Sequence, residues 1–157
     1  MATHQEEQLE NTLVAKGLTA PRITPAHIDS IIVAKHFFTA GEGVIGSMIC
    51  DSVENSEGLQ LPPGAADTVE PIRRTTICLL ILANGAQMAG INYCPISVEN
   101  WDPAIARELA EKEARAKLWE LEAYVLRQKR CEQEQEQADI AGVLADFKEA
   151  DCEGCKI

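Results

Sequence analysis

The sequence predicts an α+β fold: a small antiparallel β-hairpin or sheet packed with a long C-terminal helix, assembled as an oligomer. Three observations carry this. Two apolar runs flank Asn84-Gly85 in "TTICLLILANGAQMAGINYC", and Asn-Gly between extended runs is the strongest short-range hairpin signal, because both turn residues take positive φ. From Asp102 to Gly142 the chain carries no helix breaker except the proline at Pro103, which belongs in a first turn. That helix bears two apolar stripes on nearly opposite sides. Ile105, Leu109, Ala116, Trp119, Ala123 and Leu126 form one, and Ala114, Leu118, Leu121 and Val125 form the other. A helix with two apolar stripes is buried on two sides. It is either sandwiched inside its own domain or pressed against another copy. With so few other elements to cover it, the second arrangement is preferred.

The elements follow in order. Residues 1–17 are a tail or a short helix ending at Gly17. The main domain spans 18–131. In "TPAHIDSIIVAKHFF", Thr24 caps a helix with Pro25 at its first position, where the missing N–H costs nothing. Ile28, Ile31 and Ile32 form its apolar face, and the helix is predicted to stop between His36 and Thr39, before Gly41 and Gly43. "VIGSMICD" reads as a short strand or a second short helix. Asp51 to Pro71, with Pro62-Pro63-Gly64 and five acidic residues, reads as a long exposed loop. In the hairpin, "TICLLIL" is apolar on both faces, so neither is expected to be solvated. Gly90 in the second strand marks a bulge or a close backbone approach. Residues 132–157 form an extension in which Ile140, Val143, Leu144 and Phe147 repeat an amphipathic pattern, as a further helix or a continuation of the long one. It ends in a Cys-x-x-Cys tail.

Charge and composition narrow the function. The 157 residues include 14 basic and 25 acidic ones, a net charge of −11. A chain without a basic face is a poor duplex nucleic-acid binder, although a few converging cations could still hold a small anion. The longest apolar run, "ICLLILA", is far short of a membrane span, and no secretory signal precedes the domain. The six cysteines then read as reduced thiols. No P-loop, dinucleotide fingerprint or Gly-x-Ser-x-Gly is present. His4, His27 and His36 are not at metal-ligand spacing, and Cys152/Cys155 would need two further ligands for zinc. Acid pairs such as Glu111/Glu113 and Glu120/Glu122 stand two apart on a helix and do not face each other. No catalytic residue, metal or cofactor is therefore expected.

What remains is binding chemistry at the hairpin-to-helix junction. Asn92, Tyr93, Asn100 and Trp101 offer amides and rings able to bond and stack a base. Arg107, Arg115 and Lys117 follow on the helix and suit phosphate. Each also has an ordinary structural explanation: Arg107 can pair with Glu111, Lys117 with Glu113 or Glu120, and Trp119 can be core.

Taken together, "TPAHIDSIIVAKHFFTA", "TTICLLILANGAQMAG", "SVENWDPAIARELA" and "ARAKLWELEAYVLRQK" resemble, in order and spacing over about Leu18 to Lys129, the forty-nine-like family of phage proteins. They are similar to the first-type Thoeris anti-defence proteins, which are signal sponges. The resemblance implies dimers assembled into hexamers in the host cytoplasm. It implies sequestration, without cleavage, of cyclic ADP-ribose-type signals, with cyclic di- or trinucleotides in a separate site. It suggests Asn92, Trp101, Arg107, Arg115 and Lys117 for the signal pocket at a subunit interface, and Lys35 and His36 for the second site. The chain departs from the family where Ala86, not an aromatic, follows Asn-Gly, where "GINYC" replaces a "GESAC"-like segment, and where one residue is added before "ENWD". Either Tyr93 or Trp101 would then stack the base, or the chain would bind a different signal. The alternatives are an acidic inhibitor that mimics nucleic acid at a host defence enzyme's basic site, or a structural phage oligomer.

Overall fold

The computed structural model describes residues 4–54, 64–93 and 95–153. Five helices and a three-stranded sheet follow in the order α1 (His4–Ala15), α2 (Pro25–Ile31), β1 (Ile32–Thr39), α3 (Ala40–Glu54), α4 (Ala65–Val69), β2 (Thr76–Leu82), β3 (Gln87–Asn92) and α5 (Pro103–Glu153), with single 3₁₀ turns at Glu70–Ile72 and Val98–Asn100. The sheet is antiparallel throughout, in the order β1-β2-β3. The α+β class and the long C-terminal helix are as the sequence predicts.

The hairpin forms where Asn84-Gly85 stands. Gly85 takes φ +83°, its N–H donates to the Leu82 carbonyl at 2.9 Å, and Asn84 Oδ1 accepts from the Ala86 N–H at 3.0 Å. In β2 the alternation is sharp: Thr76, Cys78, Leu80 and Leu82 are buried, and Ile77, Leu79 and Ile81 are half-buried. The buried face meets α5, and the other is only partly covered. The expectation that neither face is solvated therefore holds for one face alone.

The main local departure is the third strand. The helix beginning at Pro25 stops at Ile31 rather than at His36 to Thr39, and "IVAKHFFT" pairs with β2 from Ile32↔Leu82 to Thr39↔Thr76. Its branched and aromatic residues favour a strand, and ladder bonds to the apolar β2 outweigh the helical spacing of three isoleucines. An irregularity between Ile32 and Ala34 resets the register, so Lys35 and Phe37 share the α5 side while His36 and Phe38 take the other.

"VIGSMICD" is helical, inside α3. Thr39 and Glu42 start that helix reciprocally: Thr39 N–H donates to Glu42 at 2.6 Å, and Glu42 N–H donates to Thr39 Oγ1 at 3.1 Å. This is a capping box, and its signature "TAGE" was present in the sequence. The predicted loop is also corrected. Asp51–Glu54 complete α3, Ala65–Val69 form α4 and Glu70–Ile72 a 3₁₀ turn, while 55–63 lie outside the described residues.

The core is where α5 crosses the sheet. Cys78, Leu80, Ala110 and Ala114 are fully buried together, and Ile28, Leu82 and Leu118 form an adjoining cluster. The stripe that α5 buries is thus Ala106, Ala110, Ala114 and Leu118. The alanines allow a close approach, and Gly90 makes it possible on β3. A Cβ there would stand 2.0 Å from the Ala110 carbonyl oxygen and 2.5 Å from the Ala114 nitrogen. Gly90 pairs regularly with Cys78, without a bulge, so close backbone approach is the reason for this glycine. Ile105 and Leu109, from the other predicted stripe, remain exposed. Beyond the sheet α5 runs unbroken through Gly142, and every described side chain from 127 to 145 is exposed. Among the described residues no helix is long and apolar enough to cross a membrane.

Candidate ligand-binding site

Where β3 ends and α5 begins, the chain must reverse over a few residues, and specific bonds fix the reversal. Asp102 Oδ1 accepts the N–H groups of Ala104 and Ile105 at 2.8 and 2.9 Å, capping α5 as its sequence implies. One residue earlier, Trp101 Nε1 donates to the Arg74 carbonyl at 3.1 Å, tying the indole to the approach to β2. The Val98–Asn100 turn brings Asn100 beside them.

The result is a hollow of about 250 Å³ lined by Asn92, Tyr93, Pro95, Asn100, Trp101, Asp102, Ile105, Ala106 and Leu109. Its floor is aliphatic, Trp101 and Tyr93 contribute aromatic wall, and two amides offer donors and acceptors. Tyr93 is 72% exposed and Ile105 57%, so one side stands open. A planar, hydrogen-bonding group fits this chemistry, since ring faces stack and amides fix orientation. Among the described residues no cation lines the hollow.

Of the residues singled out in the sequence, Asn92 and Trp101 meet here, with Tyr93 and Asn100. The others do not join them. Arg107, Glu111 and Arg115 stand at steps of four on α5 and follow the β1 side. Arg107 is exposed, and its charge helps the Thr39 hydrogen bonds hold the Glu42 carboxyl below its ordinary range. Glu111 accepts from Lys35 Nζ at 2.7 Å. Arg115 is buried and bonded to Glu6 and Asp29. Lys117 lies on the β3 side, where Nζ meets Glu113 at 2.8 Å and the Ala89 carbonyl at 2.9 Å. The same carboxylate accepts the Ile91 N–H at 2.6 Å, and these bonds to Lys117 and Ile91 lower its pKa. Lys35 and His36, adjacent in sequence, point to opposite faces of β1 and cannot serve one site in a single chain.

Sequence reasoning missed that Ile105 and Leu109 line the hollow. Their helical spacing was visible, but it pointed to packing and not to a ligand. It also missed a larger hollow of about 570 Å³ lined by Glu7, Glu10, Asn11, Thr24, Pro25, Ala26 and Asp29. That one is assembled from α1 and α2, and no local pattern links them. Among the described residues no three His, Cys, Asp or Glu side chains group as metal ligands. The Cys152/Cys155 pair falls outside the described side chains.

Residues 23–130 match the phage protein family N4 Gp49/phage Sf6 gene 66. The chain belongs to that family. The match holds the whole sheet, the hollow and the first half of α5, and it begins after α1. No curated protein and no solved structure matches the chain significantly. Membership in the Gp49/gene 66 family makes this a phage protein and leaves its activity open.

Proposed function

We propose that this phage protein is a non-catalytic sponge, which binds a cyclic nucleotide immune signal of the cyclic ADP-ribose type in the host cytoplasm and withholds it from a defence effector. The observation that carries the reading is the hollow of Asn92, Tyr93, Asn100 and Trp101, suited to a base and bordered by exposed Ile105 and Leu109. A second copy seated on that apolar border would enclose the ligand, and its exposed Arg107 would supply a cation for the phosphates. Arg115 is buried and Lys117 lies on the β3 side, so the exposed Arg107 is the better phosphate ligand of the three. Lys35 and His36 belong to the separate site for cyclic di- or trinucleotides, one from each of two copies.

Native mass spectrometry of protein purified from cells making the signal tests this. The expected result is an oligomer carrying a nucleotide that heating releases intact, and that Trp101→Ala loses at least tenfold. A hydrolysed product would make the protein an enzyme, and a strictly monomeric, ligand-free protein would sink the sponge. A second reading, an acidic inhibitor of a host enzyme, draws on the −11 charge and the carboxylate-lined hollow of Glu7, Glu10 and Asp29. A stoichiometric host protein in a pull-down would favour it.

A further inference from the structure

Arg115 is 1% exposed, the most deeply buried charged side chain among the described residues. Its guanidinium serves two carboxylates from very different places in the chain. Nη1 donates to Asp29 Oδ1 at 2.8 Å, inside the family-matched span. Nε and Nη2 donate to Glu6 at 3.0 to 3.3 Å. Trp119, one turn further along α5, donates Nε1 to the same Glu6 carboxylate at 2.6 Å. Three N–H groups from two side chains thus converge on one pair of oxygens. One turn earlier, Lys112 Nζ donates to Gln5 Oε1 at 3.1 Å. A guanidinium fork with a further N–H and a nearby ammonium is a donor set that phosphate accepts as readily as carboxylate.

The element supplying Glu6 is weakly anchored. α1 buries no residue, and Leu9 and Val14 on it are exposed. Its ties described above, and that of Glu10 to Arg22 at 2.5 Å, are polar. An element tied by polar contacts, with Leu13 only half-buried and no apolar side chain fully buried, opens at lower free energy than the core. It also lies outside the family match, whereas Lys112, Arg115 and Trp119 lie within it. The donors therefore lie inside the family-matched span, and the carboxylate that fills them lies before it.

We propose that Lys112, Arg115 and Trp119 form an oxyanion site for a phosphate-bearing small molecule, and that Glu6 on α1 is a built-in occupant which such a ligand displaces. When α1 lifts, Glu7 and Glu10 leave with it, removing negative charge from the rim. Asp29 stays on Nη1 and holds the fork in orientation, and Glu122 stays paired with His27 at 2.8 Å. The site shares no residue with the hollow beside Trp101 and stands whatever that hollow takes.

The test is calorimetric titration of the whole chain with inorganic pyrophosphate at low salt. Glu6→Ala is expected to bind at least tenfold more tightly than the parent. Glu7→Ala, an equal charge change at an exposed position of the same helix, is expected to change affinity less than twofold. Arg115→Lys added to Glu6→Ala keeps the charge but loses the fork, and should return the gain. In the parent, pyrophosphate should speed amide exchange in residues 4–15. Equal affinities for Glu6→Ala and Glu7→Ala, no binding to Glu6→Ala, or exchange in 4–15 unchanged by the ligand would each overturn the proposal.

Discussion

Replacing Gly90 by alanine sets two effects of opposite sign against each other. Gly90 lies in a regular strand, and its φ is not positive, so alanine is conformationally acceptable there. Reduced freedom of the unfolded chain would then stabilise the variant by about 0.4–1 kcal/mol. Against this, the new methyl would stand 2.0 Å from the Ala110 carbonyl oxygen, where ordinary contact begins at 3.4 Å. α5 must lift from β3 by more than an ångström, and that opens the packing of Cys78, Leu80, Ala110 and Ala114. Overpacking a core costs about 1–3 kcal/mol, and the upper end applies because the obstructing atoms are backbone and cannot rotate away. The net expectation is a loss of about 2 kcal/mol. With a urea m-value of about 2 kcal/mol/M, the midpoint falls by about 1 M. Adding Ala114→Gly should not rescue it, because that change removes only the 3.0 Å contact with the Ala114 Cβ and leaves the oxygen and nitrogen in place. A midpoint equal to or above the parent's would refute the close-approach argument.

Asp102→Ala removes the acceptor for two N–H groups at the start of α5 and should cost about 0.5–2 kcal/mol in urea unfolding. Cys78 is buried, and burial pushes its thiol up to about 11. Iodoacetamide at pH 8 should therefore modify exposed Cys50 and Cys131 and leave Cys78 intact until the protein unfolds. Because the unfolded thiol ionises first, stability should also fall between about pH 9 and 11, and the fall should shrink in Cys78→Ala. Glu113 has a lowered pKa from Lys117 and the Ile91 N–H, so its contribution is present above the ordinary carboxyl range and lost as pH drops through the folded value. Glu113→Gln should flatten the acid limb of a stability-against-pH curve. A chain ending at Arg130 should match the parent's unfolding free energy within about 1 kcal/mol, since no described side chain beyond it is buried.

How much of this was legible depended on whether the signal was local. The Asn84-Gly85 turn, the Asp102 cap and Gly90 each act through neighbours in sequence or through a missing side chain, and a reader of the sequence can find them. The junction of Asn92, Tyr93, Asn100 and Trp101 was legible for the same reason, because all four sit within ten residues. β1 was not, because Ile28, Ile31 and Ile32 sustain helical spacing up to the point where pairing with β2 takes over. Nor was the fate of Arg115. Its partners Glu6 and Asp29 are 109 and 86 residues away, and only the fold brings them to it. The two apolar stripes of α5 were half-read. Its small residues, Ala106 and Ala110, proved to be the buried side, and the bulky Ile105 and Leu109 stayed outside, because a helix lying on a glycine needs small side chains beneath it.

At about 1.5 Å per residue the 51 residues of α5 have a contour of about 76 Å, and no described side chain in roughly its second half is buried. Such a boom adds viscous drag out of proportion to its mass and makes rotational diffusion strongly direction-dependent. A single copy should therefore leave a sizing column well ahead of compact standards near 17.1 kDa, imitating a larger particle. Subunit number has to be weighed by light scattering or mass spectrometry, since elution volume would overcount it.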